Sequence, residues 1–215
     1  MAFSREEIAN LYQKRAQNYD ISANLYYLLG FREQAYRKMA VQQLNLSSGK
    51  TAVEIGCGTG LNFPLLKKEL GPKGRVIGLD LTGDMLSRAR ERVLKKRWSN
   101  IDLIQTDASE YEFPKDIDGV ISSFAITLVP QYDHVIRKGA EALAPGGRFV
   151  ILDLKLPENW PAWLVKIGVA LTRPFGVTLD IADRHPWESI GRYLKNVFFK
   201  NLYGGFAYIV AGEKV

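Results

Sequence analysis

The sequence predicts an α/β fold in which a mostly parallel sheet carries helices on both faces. Short runs rich in Val, Ile and Leu alternate with longer segments of helical spacing. Parallel strands need crossover connections of helix length, and such sheets are buried on both sides. Near the end, two further apolar runs meet at a pair of glycines, which indicates an antiparallel hairpin that brings the sheet to seven strands.

The apolar runs and the segments between them give the predicted elements. The parallel strands are predicted at residues 51–56, 75–80, 101–106, 117–123 and 148–154. The helices between them are predicted at residues 61–70, 82–97 and 131–144. An earlier helix is expected at 31–45, a late one at 187–195, and the two hairpin strands at 196–204 and 206–214.

Composition excludes several classes of protein. An apolar share of 47% is too high for a disordered chain. The single cysteine, Cys57, can form neither an internal disulfide nor a cysteine-rich zinc site, so no metal site is predicted. Charges near the N-terminus argue against a signal peptide, and no apolar stretch has membrane-spanning length. We therefore expect a protein of the reducing cytoplasm.

A glycine-rich loop, VEIGCGTG at residues 53–60, follows the first predicted strand and opens a helix. Glycine lets the backbone turn tightly and approach a ligand with no Cβ in the way. The spacing is GxGxG, and Leu61 stands where a dinucleotide fingerprint would have its third glycine. Glu54 also stands two residues before the first glycine, and both differences weigh against NAD or FAD.

Acidic residues follow the next two strands at the same edge of the predicted sheet. Asp80 ends the second strand, where a carboxylate can accept hydrogen bonds from both ribose hydroxyls. Asp107 follows the third strand, where it could accept a bond from an adenine amine, and Ala108 offers a backbone N–H to the ring. This arrangement predicts a site for an adenine nucleoside.

These motifs resemble the class I S-adenosylmethionine-dependent methyltransferases over about residues 51–154. The glycine loop resembles their first motif, Asp80 their ribose acid, residues 106–108 their adenine motif and residues 143–148 the turn before their fifth strand. The resemblance implies a Rossmann-like sheet and S-adenosylmethionine as cofactor. It implies that the cofactor is held by Glu54, Gly56, Cys57, Gly58, Gly60, Asp80, Leu81, Met85, Asp107, Ala108 and Ser122. Glu54 and the Gly56 carbonyl are the candidates for the ammonium side.

We expect one domain, because 215 residues are few for two. Its predicted parts are a helical lid at 1–48, the cofactor-binding core at 49–154, a substrate-side insert at 155–186 and a last helix with its hairpin at 187–215. The insert holds four of the nine prolines, a composition suited to a binding wall or lid.

The flanking segments point to the methyl acceptor. The N-terminal region, with Tyr19-Asp20, resembles that of ubiquinone and menaquinone biosynthesis methyltransferases and of bacterial phosphatidylethanolamine N-methyltransferases. The resemblance implies a lipid-like or amphipathic acceptor, and we expect the amine of an ethanolamine phospholipid. Quinone-ring methylation and a soluble small-molecule N- or O-methyltransferase remain alternatives. A non-catalytic cofactor-binding partner subunit is an alternative of another class.

Polar residues outside the glycine loop are candidates for chemistry. The predicted catalytic residues are Tyr19, Asp153 and His185, and the predicted substrate contacts are Tyr26 and Arg184. An imidazole can act as a base, and a guanidinium suits phosphate recognition. The alternative for His185-Pro186 is a plain helix start, with proline in the first turn.

The net charge of +6 has its densest source in residues 88–97. A solvated helix face is one reading of this basic run, and contact with an anionic membrane or phosphate is the other. Nucleic acid is disfavoured, because residues 122–125 read SSFA where amino methyltransferases of nucleic acids carry Pro-Pro and an aromatic residue.

Overall fold

The computed structural model describes residues 30–157, 160–161 and 184–215. Within them, seven strands form one sheet. The strands are β1 Thr51–Ile55, β2 Arg75–Asp80, β3 Ile101–Gln105, β4 Ile117–Ser123, β5 Leu143–Leu154, β6 Lys195–Leu202 and β7 Ala207–Glu213. Their order across the sheet is β3-β2-β1-β4-β5-β7-β6. The pairings among β1 to β5 are parallel, while β7 runs antiparallel to both β5 and β6, so the predicted fold class is confirmed.

Helices cover both faces of this sheet. They are α1 Glu33–Gln43, α2 Phe63–Leu70, α3 Gly83–Lys95, α4 Tyr132–Ala142 and α5 Pro186–Tyr193, with short 3-10 turns at Ile126–Leu128 and Tyr203–Gly205. None of the helices among the described residues is both long and apolar enough to cross a bilayer.

Two apolar clusters fill the space between the sheet and its helices. On one face, Leu44 beyond α1, Leu66 of α2 and Ala89 of α3 pack with strand residues such as Val150. On the other face, α4 and α5 pack on the neighbouring strand positions, which point the opposite way because side chains alternate along a strand. The sheet is therefore buried on both sides at β1, β2 and β4, as expected for parallel strands under helices, while the edge strand β3 is half-buried.

The predicted helix and strand ends lie within two residues of the observed ones, except at the start of β5. Strand β5 begins at Leu143, not at residue 148, because Leu143 pairs with Ile117 and a register shift accommodates the glycine turn within the strand. The closing hairpin turns through Tyr203–Gly205. Helix α5 begins at Pro186, directly after His185, as the helix-start interpretation of these two residues expects.

Candidate cofactor site

A cavity opens at the carboxyl ends of β1, β2 and β4. The strand order reverses between β1 and β4, and such a switch point is where open α/β sheets bind ligands. The cavity encloses about 970 Å³ including its open mouth. Its wall is formed by the glycine loop, the residues that follow β2 and β3, and the segment from Ser123 to Pro130 after β4.

The glycine loop needs glycine for two different reasons. Gly56, Gly58 and Gly60 all have positive φ angles, of 66°, 55° and 79°. At Gly56 an added Cβ would also lie 2.3 Å from the Cβ of Ala125, whereas at Gly58 it would meet no atom within 4 Å. Gly56 therefore lets the loop approach the segment after β4, and Gly58 keeps the cavity wall free of a side chain.

Asp80 ties the glycine loop to the end of β2. Its Oδ2 accepts a hydrogen bond from the backbone N–H of Gly58 at 2.8 Å. Its Oδ1 accepts bonds from the backbone N–H and the hydroxyl of Thr82 at 2.9 and 2.8 Å. Burial raises the pKa of Asp80, and the bonds from Thr82 and Gly58 oppose this rise. The carboxylate is thus fixed in the cavity wall where a sugar hydroxyl can meet it.

The adenine motif also lies in the wall. Thr106, Asp107 and Ala108 line the cavity beyond the end of β3. The Oδ1 atom of Asp107 accepts bonds from the backbone N–H and the hydroxyl of Ser109, at 2.8 and 2.7 Å. These two bonds close a tight Asx turn that fixes the side chain of Asp107.

A buried polar network lies behind the glycine loop. The Nδ2 atom of Asn62 donates to Glu54 Oε1 at 2.8 Å and contacts Ser123 Oγ at 2.9 Å. Glu54 Oε2 is buried without a hydrogen-bond partner among the described residues. Desolvation raises the pKa of Glu54 to about 8, although Arg37 and Asn62 act to lower it. Glu54 is therefore largely protonated at neutral pH.

Arg37 is a cavity residue that sequence reasoning missed. It is 6% exposed, and it lines the cavity from α1. Its Nε donates to Glu33 at 2.7 Å, its Nη1 donates to Asn62 Oδ1 at 3.3 Å, and its guanidinium lies 5.2 Å from the ring centroid of Phe124. Phe124 lines the same wall with a positive φ of 57°. The one signal in the sequence was the Glu33–Arg37 spacing of a helical ion pair.

Comparison with known proteins agrees with this geometry. The model of the ubiE/COQ5 methyltransferase family matches residues 1–163. The chain belongs to the ubiE/COQ5 methyltransferase family. The predicted resemblance to class I S-adenosylmethionine-dependent methyltransferases is confirmed.

Individual relatives of this ubiE/COQ5 family member carry more specific names. A demethylmenaquinone methyltransferase of Listeria monocytogenes is 30% identical over 160 residues, which are 74% of this chain and 66% of the relative. One of Staphylococcus carnosus is 31% identical over 155 residues, 71% of this chain and 62% of the relative. The match thus spans just under two thirds of the length of these relatives.

Solved structures share the fold at lower identity. Phosphoethanolamine N-methyltransferase 2 of Haemonchus contortus, in complex with S-adenosyl-L-methionine, has a TM-score of 0.64 and 19% identity, over 83% of this chain and 52% of that one. Geranyl diphosphate C-methyltransferase of Streptomyces coelicolor has a TM-score of 0.67 and 15% identity, over 85% and 81%. Their acceptors differ, so this likeness concerns the fold.

Most of the predicted cofactor residues of this ubiE/COQ5 member surround one cavity. Those in its wall are Gly56, Cys57, Gly58, Asp80, Leu81, Met85, Asp107 and Ala108. Glu54, Gly60 and Ser122 lie behind the wall: the hydroxyl of Ser122 donates to the Ile55 carbonyl at 3.1 Å, and a Cβ at Gly60 would meet the ring of Phe63 at 2.5 Å. A cofactor role stays a prediction for all eleven residues, and the observed contacts of these last three support the loop.

The predicted residues for chemistry lie elsewhere. Asp153 is buried beneath the segment after β4, and Arg184 donates to the Thr127 carbonyl. His185 is partly exposed, and its Nδ1 lies 3.2 Å from Glu188 Oε1 in the first turn of α5. None of the three lines the described cavity. Tyr19 and Tyr26 fall outside the described residues.

Proposed function

We propose that the chain is an S-adenosylmethionine-dependent methyltransferase whose acceptor is the ring of a reduced, demethylmenaquinone-like quinol. The cofactor part is supported chiefly by Asp80, which bonds Gly58 and Thr82 at the edge of the cavity. The acceptor part is supported by relatives near 30% identity that are named demethylmenaquinone methyltransferases. The sequence led us to expect the amine of an ethanolamine phospholipid as acceptor. That acceptor is supported only by the fold shared with a phosphoethanolamine N-methyltransferase.

The described residues fit the cofactor. Asp80 offers carboxylate oxygens for the ribose, Asp107 and Ala108 flank the place expected for the adenine, and Leu81 and Met85 give it apolar contacts. Gly58 leaves open space where a side chain would obstruct the ligand. When bound, the cofactor supplies a methyl group on a sulfonium centre with a neutral thioether as leaving group.

Ring methylation makes modest demands on the protein. In the transfer, the electron-rich carbon of the quinol would form a bond to the methyl carbon while the methyl–sulfur bond breaks. The same ring carbon would then lose its proton to the solvent. An oxidised quinone is itself electrophilic, so the acceptor must be in the reduced state. The task of the protein is therefore alignment and exclusion of water, to which Phe124, Leu128 and Val129 contribute apolar wall.

The test is a comparison of acceptors with methyl-labelled cofactor. We expect label transfer to demethylmenaquinol, little or none to demethylmenaquinone kept oxidised, and none to phosphatidylethanolamine vesicles. Label on the phosphatidylethanolamine alone would replace the quinol with the amine acceptor. Tight cofactor binding with no product from any of these acceptors, or from a crude lipid and metabolite extract, would favour the non-catalytic subunit.

We also propose that α3 touches an anionic membrane, where a lipid-like acceptor would reside. Arg88 of the basic run pairs with Glu91, and Arg92 donates to the Thr59 carbonyl at 2.9 Å. The end of the helix presents different groups: Leu94 is 70% exposed beside the exposed Lys95 and the basic residues that follow it. One exposed apolar residue beside a cluster of cations suits contact with an anionic lipid surface.

Vesicle co-sedimentation tests this contact. Reversal of charge at Lys95, Lys96 and Arg97 to Glu should abolish binding to anionic vesicles. A control reversal at the exposed Lys38, Lys73 and Lys115 makes the same change of net charge elsewhere. Equal loss in both variants would mean that only net charge matters, and no binding by the unaltered chain would remove the membrane proposal.

A further inference from the structure

The peptide of Thr127 is held from both sides by charged residues that are distant in sequence. Its backbone N–H donates to Asp153 Oδ2 at 3.1 Å, and its carbonyl accepts a bond from Arg184 Nη1. Thr127 is 3% exposed and lies in the 3-10 turn Ile126–Leu128. A bond to a charged group is stronger than one between neutral groups, so this pair of bonds fixes the turn firmly.

That turn forms part of the wall of the cofactor cavity. Ala125 lines the cavity just before Ile126–Leu128, and Leu128, Val129 and Pro130 line it at the end of the turn and beyond. Thr127 itself does not line the described cavity, and its backbone N–H is bonded to Asp153 of β5. Among the described residues, Asp153 and Arg184 are therefore linked to the cavity wall through the turn that they hold.

Several contacts fix the position of Asp153. It is 4% exposed, its Oδ1 accepts a bond from the backbone N–H of Leu154 at 2.8 Å, and Tyr208 lies directly opposite on β7. Burial raises the pKa of Asp153 to about 6, and the bonds from Thr127 and Leu154 oppose that rise. A buried carboxyl that accepts two backbone bonds serves as an anchor for the main chain.

Arg184 is anchored independently. The backbone N–H of the next residue, His185, donates to the Tyr132 hydroxyl of α4 at 3.3 Å. Helix α5 is in turn fastened to Asp133 of α4 by the hydroxyls of Ser189 and Tyr193, at 2.6 and 2.8 Å. The guanidinium therefore reaches the Thr127 carbonyl from a fixed base.

We propose that Asp153 and Arg184 are positioning residues for methyl transfer, which hold the Thr127 peptide and thereby fix the cavity wall at Leu128 and Val129. This role differs from the catalysis and phosphate contact that the sequence suggested for them. It depends on one part of the proposed function, namely that the cavity binds the cofactor.

Calorimetric titration with S-adenosylhomocysteine tests the inference without any acceptor. Arg184→Met keeps the aliphatic stem and removes the donors, and Asp153→Asn places an amide where a backbone N–H now donates. Each change should weaken binding about tenfold, since one charge-assisted bond to the turn is lost. Arg184→Lys, which retains a charged donor, should restore most of the affinity.

A double variant supplies the sharper test. Because both residues hold one peptide, the loss of affinity in Asp153→Asn/Arg184→Met should be smaller than the product of the two single losses. In turnover assays the single variants should raise KM for the cofactor and lower kcat. The control is Arg75→Met, since Arg75 is 59% exposed and pairs with Asp102 at the start of β2, at the opposite end of that strand from the cavity.

Several results would overturn the positioning role. The role is wrong if folded Arg184→Met binds S-adenosylhomocysteine as tightly as Arg75→Met does, if Arg184→Lys binds as weakly as Arg184→Met, or if the two single losses multiply in the double variant. A lower melting temperature with unchanged affinity would also reduce the pair to a structural feature. If Asp153→Asn does not fold, the titrations of Arg184→Met and Arg184→Lys test the positioning role on their own. If only the quinol proves to be the wrong acceptor, none of these binding predictions changes.

Discussion

The backbone N–H of Gly58 donates a hydrogen bond to Oδ2 of Asp80 at 2.8 Å. This bond joins the loop after β1 to the end of β2, and Thr82 occupies the other carboxylate oxygen from the start of α3. One side chain therefore sets the relative positions of three elements of the cavity wall. The residue expected to bind the ribose also shapes the loop against which the cofactor would lie.

Asp80→Asn should weaken cofactor binding by a factor of ten or more. The amide has a single oxygen as acceptor, so either Gly58 or Thr82 loses its bond to this side chain. The oxygen that remains is neutral, which weakens the other bond and any bond from a sugar hydroxyl. The measurement is titration with S-adenosylhomocysteine. Asp84→Asn is the matched control, because Asp84 is exposed in the first turn of α3. Equal affinity in the two variants would contradict the role of Asp80.

Arg37→Met should reduce both stability and cofactor affinity. Glu33 would keep a mostly buried carboxylate without its partner, and breaking a buried pair costs about 3 kcal/mol. The Phe124 ring would also lose the cation that it faces in the cavity wall. Denaturant unfolding and product titration measure the two effects. Arg32→Met, at an exposed position just before α1, should change neither.

The parts of the fold that the sequence predicted well are those with a strong local signal. Strands β1, β2 and β4 each contain a short apolar run, and the structure places them within a residue of the prediction. Strand β5 was predicted too short, because Pro145-Gly146-Gly147 is a strong turn signal. Only the long-range pairing of Leu143 with Ile117 shows that the strand begins before that turn.

The same distinction holds for the site. The glycine loop and Asp80 stand in contiguous motifs, so their types and spacing identified them. Arg37 contacts Asn62 and Phe124 only after α1 packs on the sheet, and no local pattern indicates that. Glu54 stands in the same motif, yet the motif did not predict on which side of the cavity wall it lies. Side chains alternate along β1, so Ile55 lines the cavity and Glu54 lies behind the wall.

The buried Glu54 predicts a pH dependence of stability. Its pKa is about 8 in the folded chain, above the ordinary value of 4.5, so the folded state binds more protons between these values. The free energy of unfolding should therefore fall as pH rises from about 4.5 to about 8, by up to roughly 1.4 kcal/mol per pH unit, and level off above that. Below this window the contribution is fully retained.

Glu54→Gln isolates this contribution, because glutamine fills the same space and does not ionise. Denaturant unfolding at several pH values should show the variant gaining stability relative to the unaltered chain between pH 5 and pH 8. Glu91→Gln, on the exposed face of α3, should follow the unaltered chain at every pH. A difference between Glu54→Gln and the unaltered chain that does not vary with pH would show that Glu54 ionises normally.

Gly56→Ala should abolish cofactor binding through a clash that a second substitution relieves. The added Cβ would lie 2.3 Å from the Cβ of Ala125, in addition to the strain of a positive φ. Gly146→Ala measures that strain alone, about 1–2 kcal/mol, because Gly146 has a φ of 78° and no atom would lie within 4 Å of its Cβ. The second substitution is Ala125→Gly, which removes the Cβ that the new methyl group would meet.

The double variant Gly56→Ala/Ala125→Gly should therefore recover measurable binding of S-adenosylhomocysteine, with stability near that of Gly146→Ala. If the double variant binds no better than Gly56→Ala, the close approach of the loop to the segment after β4 is not what requires glycine at this position.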